Sequence, residues 1–463
     1  MSLWIRNHIA GIRGYFYSQD TKLIYSIYIP VFIDNFMTFM ISLIHMSMVS
    51  GLGEEAMSGV GLVGQMNAFI TAVAITGISS GVTVVVSQYI GANNYEGSSH
   101  SAGQGIFISV LLSAIVAVVL ILFPKQAFLI CFSKAEESVV SNAVAYLIPL
   151  AASLPAFAVY QAAFSVCRAN ADNKFCLIIA VVLNLLNLAV AYLLIYVVDL
   201  GIVGAGLGYV ISRTAAAVYC LYYLKKKGYL ARYSHIFLIK IMYMAKIMKI
   251  GFLLGLESTL FNFGKTITTG VIVAAGTVHV AANTAVTSIF NVLTTPYVAG
   301  STVSLTLVGR YIGADEKEEA RSVAWKIFGF VFRWQALMCL ITAPFSGIII
   351  GCFAQNPDVI SLSLVLLNMT LITMPFFAPM VGPALQSLSG AGDNTFKAVV
   401  SVASMWILRI GLSFVLAGGY FPIFDPIKGA VGVWIAQTAD LFVKGGIMTA
   451  RMYGRKWLNK KIV

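Results

Sequence analysis

The chain has 463 residues, of which 59% are hydrophobic and only 10% charged, with a mean hydropathy of +0.87. Soluble domains carry roughly 25% charged residues, so this composition excludes a soluble protein and indicates an integral membrane one. The net charge of +12 is read as loop lysines and arginines that orient helices and meet anionic lipid, not as a nucleic-acid surface.

Apolar runs of about 20 residues recur along the chain, the length of a spanning helix rather than of a barrel strand. They predict an all-α membrane fold of twelve spans, near 23–49, 56–86, 101–123, 138–163, 174–197, 202–224, 244–274, 281–309, 325–351, 359–387, 396–419 and 429–450. The first span opens at Pro30 and carries Asp34 within apolar sequence. A charge there costs about 2.5–3.5 kcal/mol on insertion scales, and a chain keeps one where it faces a cavity or a partner. Residues 1–21 lack the compact apolar core and small-residue cleavage site of a signal peptide, which leaves the first span as the insertion signal.

Basic loops set the expected orientation. Arg6, Arg13 and Lys22, then Arg168 and Lys174, the run Lys225–Lys240, then Arg310, Lys317 and Arg321, and finally Arg451–Lys461 all fall on the side of both termini. The opposite side holds only Lys125, Lys134 and Lys428, with Glu136, Glu137, Asp199, Asp358 and Asp425. Both termini are therefore expected in the cytoplasm.

The polar stretch near 225–240 divides the spans six and six, and the halves repeat. Gln88-Tyr-Ile-Gly-Ala92 recurs as Arg310-Tyr-Ile-Gly-Ala314, and Ala171-Asp-Asn-Lys-Phe175 as Gly392-Asp-Asn-Thr-Phe396. Cys131-Phe132 returns as Cys352-Phe353, and Gly204-Ala205 as Gly429-Ala430. An even number of spans per copy predicts a parallel repeat about an axis along the membrane normal, with a cavity between the copies at mid-membrane. The predicted organisation is a cytoplasmic segment 1–22, an N-lobe 23–224, a linker 225–243, a C-lobe 244–450 and a basic cytoplasmic tail 451–463. Asp34 and Glu257 match within this register. The six cysteines have no metal or CxxC spacing and are read as packing residues.

With these motifs in order, the chain resembles the multidrug and toxic compound extrusion (MATE) transporters. The resemblance rests on the proline-opened first span, Val86–Ala92 with its copy after span eight, Leu388-Ser-Gly-Ala-Gly-Asp393, and Asn187–Ile195 followed by Gly201–Gly206. It implies two six-helix lobes around a central cavity, in which proton or sodium entry drives export of organic, often cationic, compounds. The chain departs from the family at three acids. The usual first-span acid falls at His45, a fifth-span aspartate at Ala191, and a tenth-span aspartate near Ala378. The fifth-span asparagine is kept as Asn187 and the seventh-span glutamate as Glu257.

The candidates for cation coupling are therefore Asp34, Glu257 and, by resemblance, Asn187, with Asp34 and Asn187 as the ligands if the ion is sodium. Against this stands a carboxylate merely hydrogen-bonded between helices. Substrate-cavity candidates are His45, Asn67, Tyr160, Gln161, Asn184, Lys265 and Asn291, each of which can instead bridge helices. Lys265 either snorkels to the outer interface or lines the cavity, where it disfavours cationic substrates. No cofactor is expected besides the coupling ion. The expected partners are a small organic solute and the bilayer, with a self-sufficient monomer in a bacterial inner membrane. A flippase for a lipid-linked precursor is the rival. It calls for several cavity arginines or lysines, and beyond Lys265 the spans are expected to offer little. An enzyme needs a clustered metal or nucleophile site, which the five scattered histidines do not supply.

Overall fold

The computed structural model describes residues 19–132, 136–230, 239–351, 356–417 and 429–460, together with Ile236, Phe353 and Ile462. Most of the N-terminal segment, Lys134, Cys352, Lys428 and part of the linker lie outside these residues. Among the described residues the fold is all-α and is built on twelve long helices. The N-lobe contains α1 (Gln19–Ser50), α2 (Glu54–Thr71 continued through Ala72–Thr76 into Gly77–Gly91), α3 (Tyr95–Leu122), α4 (Glu137–Ala152 and Leu154–Ala169), α5 (Asn173–Val197) and α6 (Gly201–Lys226). The C-lobe contains α7 (Ile241–Ala274), α8 (Thr277–Leu293 and Thr295–Gly313), α9 (Lys317–Gly351), α10 (Pro357–Ala391), α11 (Asn394–Ala417) and α12 (Ala430–Tyr453).

Six of these are long and apolar enough to cross a membrane, and eight if the bent pairs α4 and α8 each count as one span. Three of the other helices carry ionisable groups in their interiors: Asp34 in α1, Glu257 and Lys265 in α7, Asp440 and Lys444 in α12.

Backbone conformation repeats with the sequence. Gly53 and Gly276 open α2 and α8 with φ of 110° and 108°, and Asn93 and Asp315 precede α3 and α9 with φ of 54° and 65°. Ala171 and Gly392 do the same before α5 and α11. Left-handed φ is costly for most L-residues, so three matched pairs mark one duplicated six-helix unit. The breaks match too. The widened turn at Ala72–Thr76 of α2 corresponds to the 43° bend of α8 at Thr294.

The lobes meet through the second halves of α2 and α8. Gly77–Gly91 packs along α7 and along Thr295–Gly313, backbone against backbone. A Cβ on Gly77 would stand 2.7 Å from the Cα of Gly255, and one on Gly81 would stand 2.9 Å from the Ile247 carbonyl. Beyond them, Gly91 lies against the backbone of Arg310, and Gly313 against that of Gln88. The motif pair read as helix-ending turns is thus also the inter-lobe seam. Gln88 is fully buried there. Its amide donates to the Gly390 carbonyl at 2.8 Å and accepts from the Ile462 N–H at 3.0 Å. The first halves instead turn back onto their own lobes, Glu54–Thr71 onto α4 and Thr277–Leu293 onto α10.

α1 belongs to both lobes. It packs along α5, while Ile24, Ile27, Tyr28 and Val31 join a core with Val303, Leu307, Phe330 and Val331 of α8 and α9. Tyr25 and Tyr28 meet Phe330 edge-on at 4.9 and 4.7 Å. The basic tail is folded against the protein, with Trp457 fully buried and Arg451 paired to Asp393 at 2.8 Å. Cys167, Cys176, Cys220 and Cys339 are buried and free, whereas Cys131 is exposed.

Overpacking a tight contact costs about 1–3 kcal/mol. Gly77→Leu should weaken the seam by that order, read as a lower melting temperature and faster labelling of a Ser80→Cys reporter. An unchanged labelling rate would show that the seam does not depend on this approach.

Candidate functional site

The N-lobe centre is built around α1. Asp34 is 16% exposed, and its carboxylate stands 4.0 Å from an Arg168 amine at the end of α4. That separation is an ion pair at its loosest. Arg168 also lies over the Phe164 ring at 4.1 Å, and Tyr160, buried between Phe157 and Phe164, is close enough to feel the Asp34 charge.

Two points fix the register of α1 on α5. Tyr25, Ser26 and Pro30 share a pocket with Ala171–Lys174, and the Tyr196 hydroxyl donates to the Met48 carbonyl at 2.6 Å. Interpolation sets Asp34 level with about residue 181. At 1.5 Å per residue Asn187 lies about 9 Å farther along, and its amide donates instead to Ser212 at 3.4 Å. The structure therefore does not assemble Asp34 and Asn187 into one ligand set. Nor does it bring His45 to Asp34. His45 is buried, 5.3 Å from the Tyr209 ring. Arg213 lies over Tyr209 and Phe157 at 4.7 and 4.2 Å and donates to Ser153 at 2.7 Å. Asn67, Gln161 and Asn184 are half-buried on α2, α4 and α5 and line neither of the cavities described next.

The C-lobe holds two chambers divided by Phe261. The first, about 270 Å³, lies at the seam, where Glu257 and Ser258 of α7 face Thr76, Gly77 and Ser80 of α2 and Lys397 and Lys444 of α11 and α12. Lys397 pairs with Glu257 at 3.2 Å, and Lys444 with the fully buried Asp440 at 3.8 Å. Ser404 donates to Asp440 as well. The second chamber, about 260 Å³, contains Lys265 and Asn291 with Arg409, Tyr297, Trp434 and Gln437. Arg409 donates to Gln437. Phe261 stands between, its ring 5.2 Å from the Arg409 guanidinium and 5.0 Å from the Lys444 ammonium.

Glu257, Lys265 and Asn291 thus gather in the C-lobe. The expectation that the spans hold little basic charge beyond Lys265 is overturned. Lys397, Arg409, Lys444 and, in the N-lobe, Arg213 are all buried. Lys397 follows a loop by four residues, so it reads as a loop base. Arg409 and Lys444 lay in plain view inside apolar spans, and their cost in a membrane was the signal that could have found them.

The family model described as MatE matches the chain twice, over residues 30–193 and 254–415. The chain belongs to the MATE family. A probable multidrug resistance protein NorM of Thermotoga maritima is 24% identical over 415 residues, covering 88% of this MATE chain and 87% of its own. The multidrug resistance protein NorM of Vibrio cholerae is 24% identical over 400 residues, covering 83% and 84%. Among solved structures, an outward-facing multidrug resistance MATE transporter aligns with a TM-score of 0.84 at 19% identity over 95% of this chain and 97% of that one. A MOP superfamily transporter of Pyrococcus furiosus, titled for the reverse polarity of its binding pocket, aligns with a TM-score of 0.81 at 20% identity over 95% and 96%. These likenesses show the MATE fold, a multi-pass membrane protein of two six-helix lobes. The lipid-precursor flippase finds no support among them.

Removing one partner of a buried ion pair costs about 3–5 kcal/mol, because the other charge is left uncompensated. Lys397→Met should destabilise the MATE fold by that order, and adding Glu257→Gln should recover most of it. Thermal unfolding in detergent checks this; equal losses in single and double variants would deny the coupling.

Proposed function

We propose that this MATE transporter is a cation-coupled antiporter that exports amphiphilic organic compounds by alternating access. It works in a bacterial inner membrane with both termini cytoplasmic, an orientation supported by the basic loops. In that orientation the glycine seam closes the cytoplasmic end, and the outer halves of α2 and α8 each pack on their own lobe.

The observation that carries the proposal is the place of Asp34 on the helix the lobes share. Its first turns are docked on α8 and α9, its length lies on α5, and Asp34 stands one turn past the docked stretch opposite Arg168 of the N-lobe. While charged, the carboxylate draws α1 toward Arg168. A proton or sodium ion at Asp34 removes that attraction, α1 repacks, and substrate leaves to the outside. Loss of the cation to the cytoplasm restores the pull and resets the pump. Asn187 lies between Asp34 and the open end along α5, where it assists a cation on its way in. Glu257 is the C-lobe counterpart. It is already balanced by Lys397, so a cation there frees Lys397 beside the seam residues Thr76 and Gly77.

The expectation of cationic substrates fits the N-lobe alone. Lys265, Lys397, Arg409 and Lys444 face only Glu257 and Asp440 inside the C-lobe, and that excess repels cations from it.

The test is efflux from proteoliposomes of a fluorescent organic cation and a fluorescent zwitterion, with proton and sodium gradients imposed separately. One gradient should drive export, and Asp34→Asn should reduce it to the level of protein-free vesicles, while Glu257→Gln retains a fraction. Export that ignores both gradients, or survives Asp34→Asn unchanged, rejects the coupling role.

A further inference from the structure

The second C-lobe chamber carries two cationic side chains in its wall, Lys265 and Arg409. They lie near enough to repel one another, and no carboxylate is in that wall. Among the described residues the Lys265 ammonium has no acceptor. Arg409 is 4% exposed, its Nε has no partner, and its one hydrogen bond goes to the neutral Gln437. The nearby acid, Asp440, pairs with Lys444 at 3.8 Å and accepts from Ser404; it also attracts the Arg409 charge, but from behind the chamber wall rather than within it. A buried guanidinium keeps an unfilled donor at a cost, which an incoming anion with two acceptor oxygens offsets by charge-assisted bonds.

The rest of the chamber fits an organic body on that anion. Phe290, Tyr297 and Trp434 form aromatic walls, and Trp434 is held in place by donating its indole N–H to Asn283 at 3.0 Å. Lys265, Thr269 and Asn291 are exposed at the chamber's edge, so the chamber is open rather than sealed. Its volume of about 260 Å³ suits a small ring system.

We infer that this chamber binds the carboxylate of a small aromatic acid, or the acidic end of a zwitterionic amphiphile, between Lys265 and Arg409. The inference rests on the transporter reading and deepens it by giving the substrate its charge in the C-lobe. Asp34 then handles the coupling cation in one lobe, and the Lys265–Arg409 pair handles the substrate in the other.

The test is binding without any gradient, so its failure is distinct from a failure of coupling. Purified full-length protein in detergent is titrated with 2-naphthoate, 2-naphthamide and 2-naphthylmethylammonium, following quenching of tryptophan fluorescence. The acid should saturate, with a Kd at least tenfold below that of the amide and with no saturation by the ammonium. Lys265→Gln, at an exposed position, should raise the Kd for the acid about tenfold without lowering the melting temperature. Arg409→Lys, which keeps the charge and loses the fork, should raise it severalfold, and Trp434→Phe should remove most of the quenching signal. Equal affinity for acid and amide, a Kd within twofold of wild type in Lys265→Gln, displacement by equimolar chloride, or no saturation by the acid would each overturn the assignment.

Discussion

The architecture depends on how closely two backbones approach at one end of the molecule. Gly77 and Gly81 of α2 leave room for α7, and Gly91 and Gly313 let the ends of α2 and α8 touch main chain to main chain. In a membrane there is little hydrophobic force between helices, and small residues that admit close packing take its place. Polar bonds flank that contact, with Arg310 donating to the Ala169 carbonyl at 2.8 Å and Lys246 to the Tyr89 hydroxyl at 2.9 Å. Gln88 adds specificity, because its single buried amide grips the C-lobe at Gly390 and the tail at Ile462. The tail is also drawn into the seam, since Gly392 has room for the Lys460 carbonyl only for want of a Cβ.

From the seam the lobes diverge, and their interiors differ although their backbones repeat. In the N-lobe Asp34 faces one arginine loosely, while His45 and Arg213 sit in a separate aromatic cluster about eleven residues along α1. In the C-lobe the bases crowd α7, α11 and α12. Continuum reasoning makes a buried ion pair a poor stabiliser against a hydrophobic replacement, so two such pairs plus two further cations are not explained by stability. Duplication supplied the same scaffold twice, and the side chains then took different charges.

Much of this was legible in the sequence, for physical reasons. The spans announce themselves because the bilayer demands about 20 apolar residues. The duplication is visible because left-handed turns and close helix contacts tolerate few residues, so Gly53, Gly276, Gly91 and Gly313 recur in register. Asp34, Glu257 and Lys265 stand out because each is a charge in apolar surroundings. What stayed hidden was tertiary pairing. Nothing along the chain says that Lys397 reaches Glu257 across 140 positions, or that α1, numbered with the first lobe, buries Tyr28 against Phe330 of the second. Asp34 and Asn187 seemed natural partners by resemblance, yet the offset of α1 on α5, fixed by Tyr196 and Met48, holds them about two turns apart.

The asymmetry of charge bears on how export and import can be linked at all. A single site shared by cation and substrate couples them by direct competition, which requires that both carry the same sign. Here the acid and the open bases lie in different lobes, so competition at one point is unavailable to an acidic or zwitterionic solute. Under the proposed function, coupling of such a solute passes through an element that both lobes touch. α1 has that position: its apolar face is fixed on α8 and α9, and its carboxylate looks into the N-lobe. α7 is its complement, with Glu257 at the seam and Lys265 in the second chamber two turns away. A shift of α7 alters a charge pair and the seam, and a shift of α1 alters the Asp34–Arg168 pair and its packing on α8 and α9, so under the proposed function the cation and the solute need not meet for each to sense the other.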